Sequence, residues 1–359
     1  MLNLIDTALK SPLARILTWP HSPESYLEFL APEVGGQAVK ATVKALRQET
    51  RRAVSLVLQP NHRWQGHVPG QYVSLTVSLN GRRHSRCFTV SGEEQGCPVV
   101  TIQSQAGGVV SSWANEAVRV GDSVELSAAA GDFVLPARRP DRLLFIAGGS
   151  GITPIRALTD QLVAEGHAGP VDILYYVPTR QDAIFLAHLA AVAGAHPHVR
   201  LHLVETRDSR SRMGGHFSAA HLQAIGADAS ASTAYVCGPA PLIAAVEQHW
   251  QAAGRRHRLV LERFRAATAP VAPGAEAVAV EFRESAVTTT APGRTLLEAA
   301  EGAGLAPTSG CRQGICRTCT CRKLAGRVRD LRTGEISGDG EEDIALCVSV
   351  PVTPVTLDL

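Results

Sequence analysis

The sequence predicts a multidomain protein in which an antiparallel β-barrel, an α/β domain on a parallel sheet and a small α+β domain follow one another along 359 residues. Three observations carry that expectation. Short alternating segments such as Val54-Ser-Leu-Val-Leu and Gln71-Tyr-Val-Ser-Leu-Thr-Val, with turn signals at Pro69-Gly70 and Asn80-Gly81, begin near residue 39. After residue 141 apolar strands alternate with helical stretches, from Arg142-Leu-Leu-Phe-Ile-Ala through Val171-Asp-Ile-Leu-Tyr-Tyr-Val to Ala234-Tyr-Val. Cys311, Cys316 and Cys319 form a C-x4-C-x2-C run that Cys347 answers far downstream.

In chain order, residues 1–38 carry Leu2, Ile5, Leu9, Leu13, Ile16 and Leu17 at helix-like spacing, interrupted by Pro12. They read as a helical extension packed on its own protein, with a membrane-surface or partner-docking helix as the alternative. The barrel is expected over 39–137 and the parallel-sheet domain over 138–264. Residues 265–276 are a Pro/Ala/Gly linker, and 277–359 form the last domain. Basic and acidic residues number 12 and 11 in 1–137, 12 and 10 in 138–262, and 9 and 11 in 277–359. No segment has the basic bias of a nucleic-acid binder, so nucleic acid is not an expected partner. No apolar run reaches the length of a membrane span, and the N-terminus does not read as a secretory leader. The expected location is the cytoplasm, where a reducing milieu suits thiolate ligands.

Structural zinc sites pair their ligands in two short knuckles, which x4 plus x2 in one loop does not do, although zinc stays open as the rival metal. Eight cysteines in 359 residues are too sparse for a disulfide framework. Cys321 lies outside the four-ligand pattern and reads as a small buried side chain. With Gly293-Arg-Thr-Leu-Leu-Glu-Ala-Ala ahead of the cysteine loop, residues 277–359 resemble a plant-type ferredoxin. The resemblance implies a β-grasp fold and a [2Fe-2S] cluster on Cys311, Cys316, Cys319 and Cys347. Arg317 departs from the small residue usual in that family.

Two weaker signals lie in the barrel. Arg86-Cys87-Phe88-Thr89-Val90-Ser91 closes a strand, and Gly107-Gly108-Val109-Val110-Ser111 opens a helix whose free N–H groups suit an anion. As an ordered pair they resemble the R-x-[FY]-[ST] and G-x-x-S signatures of the ferredoxin reductase flavin domain, over residues 39–262. The resemblance implies FAD, with FMN as the alternative. Arg86 would hold the flavin phosphate, Phe88 would lie by the flavin and Thr89 would hydrogen-bond its ring. Gly108 and Ser111 would cap the pyrophosphate, and Gly107 and Val110 are further expected cofactor-binding residues. Cys87 falls within the flavin wall, where an ordinary strand residue is an equal account.

Ala147-Gly148-Gly149-Ser150-Gly151-Ile152-Thr153-Pro154 follows an apolar strand, and its glycines would let a phosphate approach a helix N-terminus. Thr153 is expected as the N-cap and Pro154 as the first helical residue. The stretch resembles the family's G-G-x-G-x-[ST]-P nucleotide motif, placing Gly149, Gly151, Thr153 and Pro154 at the coenzyme. Tyr235-Val236-Cys237-Gly238-Pro239 resembles its C-G-P motif at the nicotinamide. Glu262, in Glu262-Arg263-Phe264, stands where the family often keeps an acid near the flavin. Thr206-Arg207 resembles the [ST]-R pair of NADP-type members, with Thr179, Arg180, Arg210 and Arg212 nearby, which favours NADPH over NADH. Thr89, Cys237 and Glu262 are the expected catalytic residues.

Neither a nucleophile elbow nor a P-loop is present, so hydrolase and kinase readings have no support. The ordered motifs imply a reductase passing electrons from NADPH through FAD and a [2Fe-2S] cluster. The acceptor would be a separate oxygenase, hydroxylase or membrane fatty acyl desaturase. Two alternatives stay open: a redox-sensing module, and an NADH-dependent reductase of a soluble ring-hydroxylating or di-iron monooxygenase.

Overall fold

A computed structural model describes residues 39–208, 213–226, 231–264, 278–310, 312, 314 and 318–359. The expected N-terminal helix, the linker, Arg210, Arg212, Cys311, Cys316 and Arg317 lie outside the described residues.

Six strands close a barrel: β1 (Val39–Thr50), β2 (Ala53–Pro60), β3 (Tyr72–Leu79), β4 (Arg82–Glu94), β5 (Cys97–Gln103) and β6 (Ser123–Leu126), in the order β1-β2-β5-β4-β3-β6. Alternation builds it. In β3, Val73, Leu75 and Val77 point into the core while Ser74 and Thr76 do not, as the two-residue period requires. Asn80 and Gly81 join β3 to β4 with φ of 52° and 73°, the left-handed pair of a tight hairpin turn. The turn sets a register in which Tyr72 faces Thr89 and Leu75 faces Arg86. Helix α1 (Val109–Glu116) follows β5, with Gly108 as its N-cap.

Five parallel strands form the second domain: β7 (Leu143–Gly148), β8 (Val171–Val177), β9 (Val199–Glu205), β10 (Thr233–Cys237) and β11 (Leu259–Glu262), in the order β11-β10-β7-β8-β9. Strand β7 is buried throughout, as a central parallel strand covered on both faces must be. Helices α2 (Ile152–Ala164), α3 (Leu186–Ala195), α4 (Ala219–Ala224) and α5 (Ala240–Ala252) make the crossovers. Strand order reverses between β7 and β10, the position where open α/β sheets bind ligands. Arg156 of α2 pins this domain to the barrel: it stacks 4.4 Å from the Phe185 ring centroid, and a Cβ on Gly92 of β4 would meet its Nη2 at 3.3 Å.

The third domain is a mixed sheet of β12 (Ala279–Phe282), β13 (Val287–Thr290), β14 (Thr320–Ala325), β16 (Glu342–Ala345) and β18 (Val355–Leu357), ordered β13-β12-β18-β14-β16. A ribbon of β15 (Val328–Asp330) and β17 (Ser349–Pro351) stands beside it. Helix α6 (Leu296–Gly302) starts from a capping box in which Thr295 and Glu298 satisfy each other's backbone N–H groups at 3.0 and 3.2 Å. Cys321 on β14 is 8 % exposed and its thiol donates to Asp358 O, which matches the expected buried small side chain. Lys323 is fully buried, its ammonium donating to the carbonyls of Gly326, Gly338 and Gly340 and facing Glu342 at 3.2 Å. Those partners offset the desolvation of a charge that would otherwise be too costly to bury.

Candidate active site

Strand β4 presents Arg86, Cys87, Phe88 and Thr89 to a cavity of about 490 Å³. Gly107, Gly108, Val110 and Ser111 of the α1 entrance and Thr153 of α2 line it too. So do Leu297, Arg312, Leu331 and Cys347 of the third domain. Residues far apart in sequence therefore share one chamber, with a cysteine of the expected cluster set on its wall.

Two features suit a flavin. Thr89 is 2 % exposed, and its buried Oγ1 has no hydrogen-bond partner among the described residues, a cost that a ring acceptor in the cavity would remove. Arg86 is half-buried and forms no ion pair among the described residues, donating only to its neighbour's carbonyl, Ser85 O, at 2.7 Å. Burial, then the nearby Arg312 charge, hold its guanidinium pKa below the usual range. A phosphate would satisfy it. Ser111 uses its hydroxyl locally, accepting from Gln105 N–H and donating to Gly108 O, both at 3.1 Å. Its side chain braces the glycine turn, leaving backbone N–H groups to face an anion. Gly107 needs its φ of 71°, and a Cβ on Gly108 would strike Ser111 Oγ at 2.5 Å.

The nucleotide motifs interlock at the switch point. A Cβ on Gly151 would fall 2.1 Å from Cys237 O, and one on Gly148 would fall 2.6 Å from Pro239. The loop after β7 thus lies directly against Cys237-Gly238-Pro239, which only glycine allows. One expectation is corrected here. Gly149–Gly151 form a 3-10 turn that runs straight into α2, so the helix starts at Ile152 with Gly151 as N-cap. Thr153 and Pro154 sit inside the first turn, and the Thr153 hydroxyl donates to Ser150 O at 2.9 Å. The continuous turn removes the break at which a side-chain cap would act.

Cys237 is fully buried and pairs across the strands with Glu262, its thiol donating to Glu262 Oε2 at 3.7 Å. Burial pushes the Glu262 carboxyl up to about 8, although Cys237 pulls it down. Burial and the adjacent Glu262 charge raise the thiol as well. Burial thus favours the protonated forms of both groups at the C-terminal edge of the sheet. Phe264, just beyond it, lines the flavin cavity. As a lone aromatic after a strand it carried no signal of its own in the sequence.

Arg180 and Arg207 are exposed at the ends of adjacent strands β8 and β9. Backbone bonds hold them there: Thr206 N–H donates to Val177 O at 2.8 Å, Arg207 N–H to Pro178 O at 3.2 Å and Arg180 N–H to Glu205 at 2.9 Å. Thr179 bonds Asp182 through both its N–H and its hydroxyl, so its side chain shapes the turn. Neither arginine lines the flavin cavity.

Of the cysteine set, Cys319 and Cys347 are described, and both are buried. Leu346 N–H donates to Cys319 O at 3.0 Å, tying their backbones together, and Gly314 N–H points at Cys347 Sγ at 3.1 Å. An amide aimed at a buried sulfur suits a thiolate ligand to a cluster. Arg312 beside them makes a two-point ion pair with Glu301, one contact at 2.9 Å.

Family models match three parts of the chain: "Oxidoreductase FAD-binding domain" at residues 37–135, "Oxidoreductase NAD-binding domain" at 145–248 and "2Fe-2S iron-sulfur cluster binding domain" at 280–352. An NADPH oxidoreductase of Mycobacterium tuberculosis is 32% identical over 98% of this chain and 92% of its own length. The glycine betaine monooxygenase reductase subunit of Chromohalobacter salexigens is 28% identical over 81% of this chain and 86% of its own. The solved structure of phthalate dioxygenase reductase superposes with a TM-score of 0.61 at 23% identity, covering 90% of this chain and 98% of that one. This chain belongs to the family of flavin- and nicotinamide-dependent oxidoreductases that carry an FAD-binding barrel, a nucleotide-binding domain and a 2Fe-2S domain on one polypeptide.

Proposed function

We propose that the chain is the reductase component of a two-part oxidation system, taking hydride from NADPH and delivering single electrons to a separate terminal oxygenase, hydroxylase or membrane desaturase. The observation that carries the reading is a shared cavity with Arg86, Thr89 and Cys347 on its walls, which would set the proposed flavin site against a proposed cluster ligand. Bound FAD and a [2Fe-2S] cluster supply the conversion of a two-electron donor into one-electron deliveries.

Within that scheme Arg86 binds the flavin phosphate, and Thr89 Oγ1 donates to the ring. Phe88 and Phe264 exclude water from the chamber. Gly149 and Gly151 admit the coenzyme pyrophosphate to the start of α2. Cys237 and Glu262 orient the nicotinamide, a positioning effect. Cys311, Cys316, Cys319 and Cys347 hold the irons. Arg180 and Arg207 receive the 2'-phosphate, with Arg212 as a third expected contact, and the similarity to the NADPH oxidoreductase of Mycobacterium tuberculosis supports NADPH. Reductase partners of monooxygenase systems among the relatives, including the one that serves glycine betaine monooxygenase, support an oxygenase-type acceptor. A membrane desaturase rests on the resemblance of the domain order with an N-terminal extension.

Anaerobic addition of NADPH to the holoprotein, followed by visible absorbance and EPR, tests the relay. Flavin bleaching, a reduced-cluster signal and many turnovers with ferricytochrome c are expected. A protein that is reduced once and then stalls is a sensor, and equal use of NADH would overturn the coenzyme choice. Co-purification from the native host identifies the acceptor.

A further inference from the structure

The ribbon of β15 and β17 lies next to Gly314, which falls between two cysteines of the expected set. Strand β17 begins two residues after Cys347, and β15 ends at Asp330, paired with Ser349. Leu331 N–H donates to Val348 O at 2.8 Å, which fixes the turn that follows. From that turn Arg332 reaches in two directions. Its Nη2 meets Asp330 Oδ2 at 2.7 Å and its Nε meets Oδ1 at 3.2 Å, while its Nη1 donates to Gly314 O at 2.8 Å. Gly314 is the residue whose N–H points at Cys347 Sγ at 3.1 Å. It sits at φ 73°, where a Cβ would strike Val348 at 2.7 Å and Arg332 Nε at 2.9 Å, so Gly314 itself is closely packed between the two.

We infer that Arg332 is a positioning residue for the iron-sulfur centre: by anchoring the Gly314 carbonyl to Asp330, it holds the Gly314 N–H on the Cys347 sulfur and so sets the reduction potential of the cluster. The reasoning is electrostatic. A backbone donor on a ligating sulfur stabilises the extra negative charge of the reduced cluster, and hydrogen bonds to the sulfurs are among the determinants of cluster potential. The Nε and Nη2 contacts to Asp330 orient the guanidinium so that Nη1 reaches the Gly314 carbonyl. Lysine keeps one donor for the carbonyl but cannot make the two-point contact. The inference rests on the reading that Cys347 is a cluster ligand.

The test is an EPR-monitored redox titration of holoprotein carrying Arg332→Met or Arg332→Lys, with resonance Raman of the Fe–S(Cys) modes in H₂O and D₂O. Arg332→Met should shift the cluster equilibrium about tenfold toward the oxidised form, which is about 59 mV lower for a one-electron couple. It should also lose deuterium sensitivity of the Fe–S(Cys) modes. Arg332→Lys should fall between the two, and the flavin midpoint should not move. If Arg332→Met cannot retain iron, a lowered potential in Arg332→Lys carries the inference. An unchanged potential and unchanged Raman isotope shift in whichever cluster-bearing variant is obtained overturns it. Wild-type protein that binds no iron would instead sink the ligand reading itself, so the two failures are separable.

Discussion

Arg86 and Arg207 are both proposed to meet phosphates, and their surroundings differ. Arg86 lies in β4 between β3 and β5, half-buried on the wall of a cavity shared with the third domain. Arg207 lies exposed beyond the end of β9, its backbone N–H bonded to Pro178 O. The same charge works through a low effective dielectric at the first position and through water and salt at the second. The flavin wall is therefore a rigid, preorganised site, and the coenzyme rim is an adjustable one.

The largest test of that comparison removes the far wall of the chamber. Cys347→Ser should eliminate the iron-sulfur absorbance and abolish protein-acceptor reduction, while NADPH still reduces the flavin at near the wild-type rate. Equal collapse of flavin reduction in a folded variant would show that the wall cannot be separated from the rest. Next comes Arg86→Ala, which should weaken flavin binding about ten- to hundredfold, or roughly 1.5 to 3 kcal/mol, by depriving a phosphate of its charge-assisted partner. Fluorescence titration of the apoprotein reads this directly, and added salt should change it little.

Arg207→Ala should raise KM for NADPH by about tenfold at low salt and by less at high salt, leaving kcat and the NADH constants close to wild type. Steady-state kinetics at two ionic strengths separates this from a structural loss, which would affect both coenzymes alike. The smallest effect concerns Glu262. Its carboxyl is raised from 4.5 to about 8, so across that interval the folded chain keeps a proton that the unfolded chain has released. Its contribution is complete below pH 4.5 and is lost as pH rises toward about 8. Glu262→Gln should accordingly flatten the decline of Tm over that range. A decline as steep as in the wild type would mean that Glu262 is ionised when folded.

Local patterns were enough to define most of the architecture. Alternation in Tyr72–Leu79, the Asn80-Gly81 turn, the buried run of Leu143–Gly148 and the Thr295-to-Glu298 capping box each act within a few residues, so the chain announces them directly. The glycines of the loop after β7 were equally legible as a close-approach motif. What they approach, Cys237 O and Pro239, depends on β7 and β10 becoming neighbours, a pairing between segments some ninety residues apart in sequence. The helix start shifted from the Thr153 cap to Gly151 for a related reason, since the 3-10 turn is continuous with the helix. Only the packed domains could put Phe264, Arg312 and Leu331 on one chamber with Arg86, or bury Lys323 among three carbonyls. Residue type and spacing specify what a site is able to bind, because ligand chemistry is local. Which charges face one another, and which are left without partners, follows from long-range burial, and that exists only once the sheets have closed.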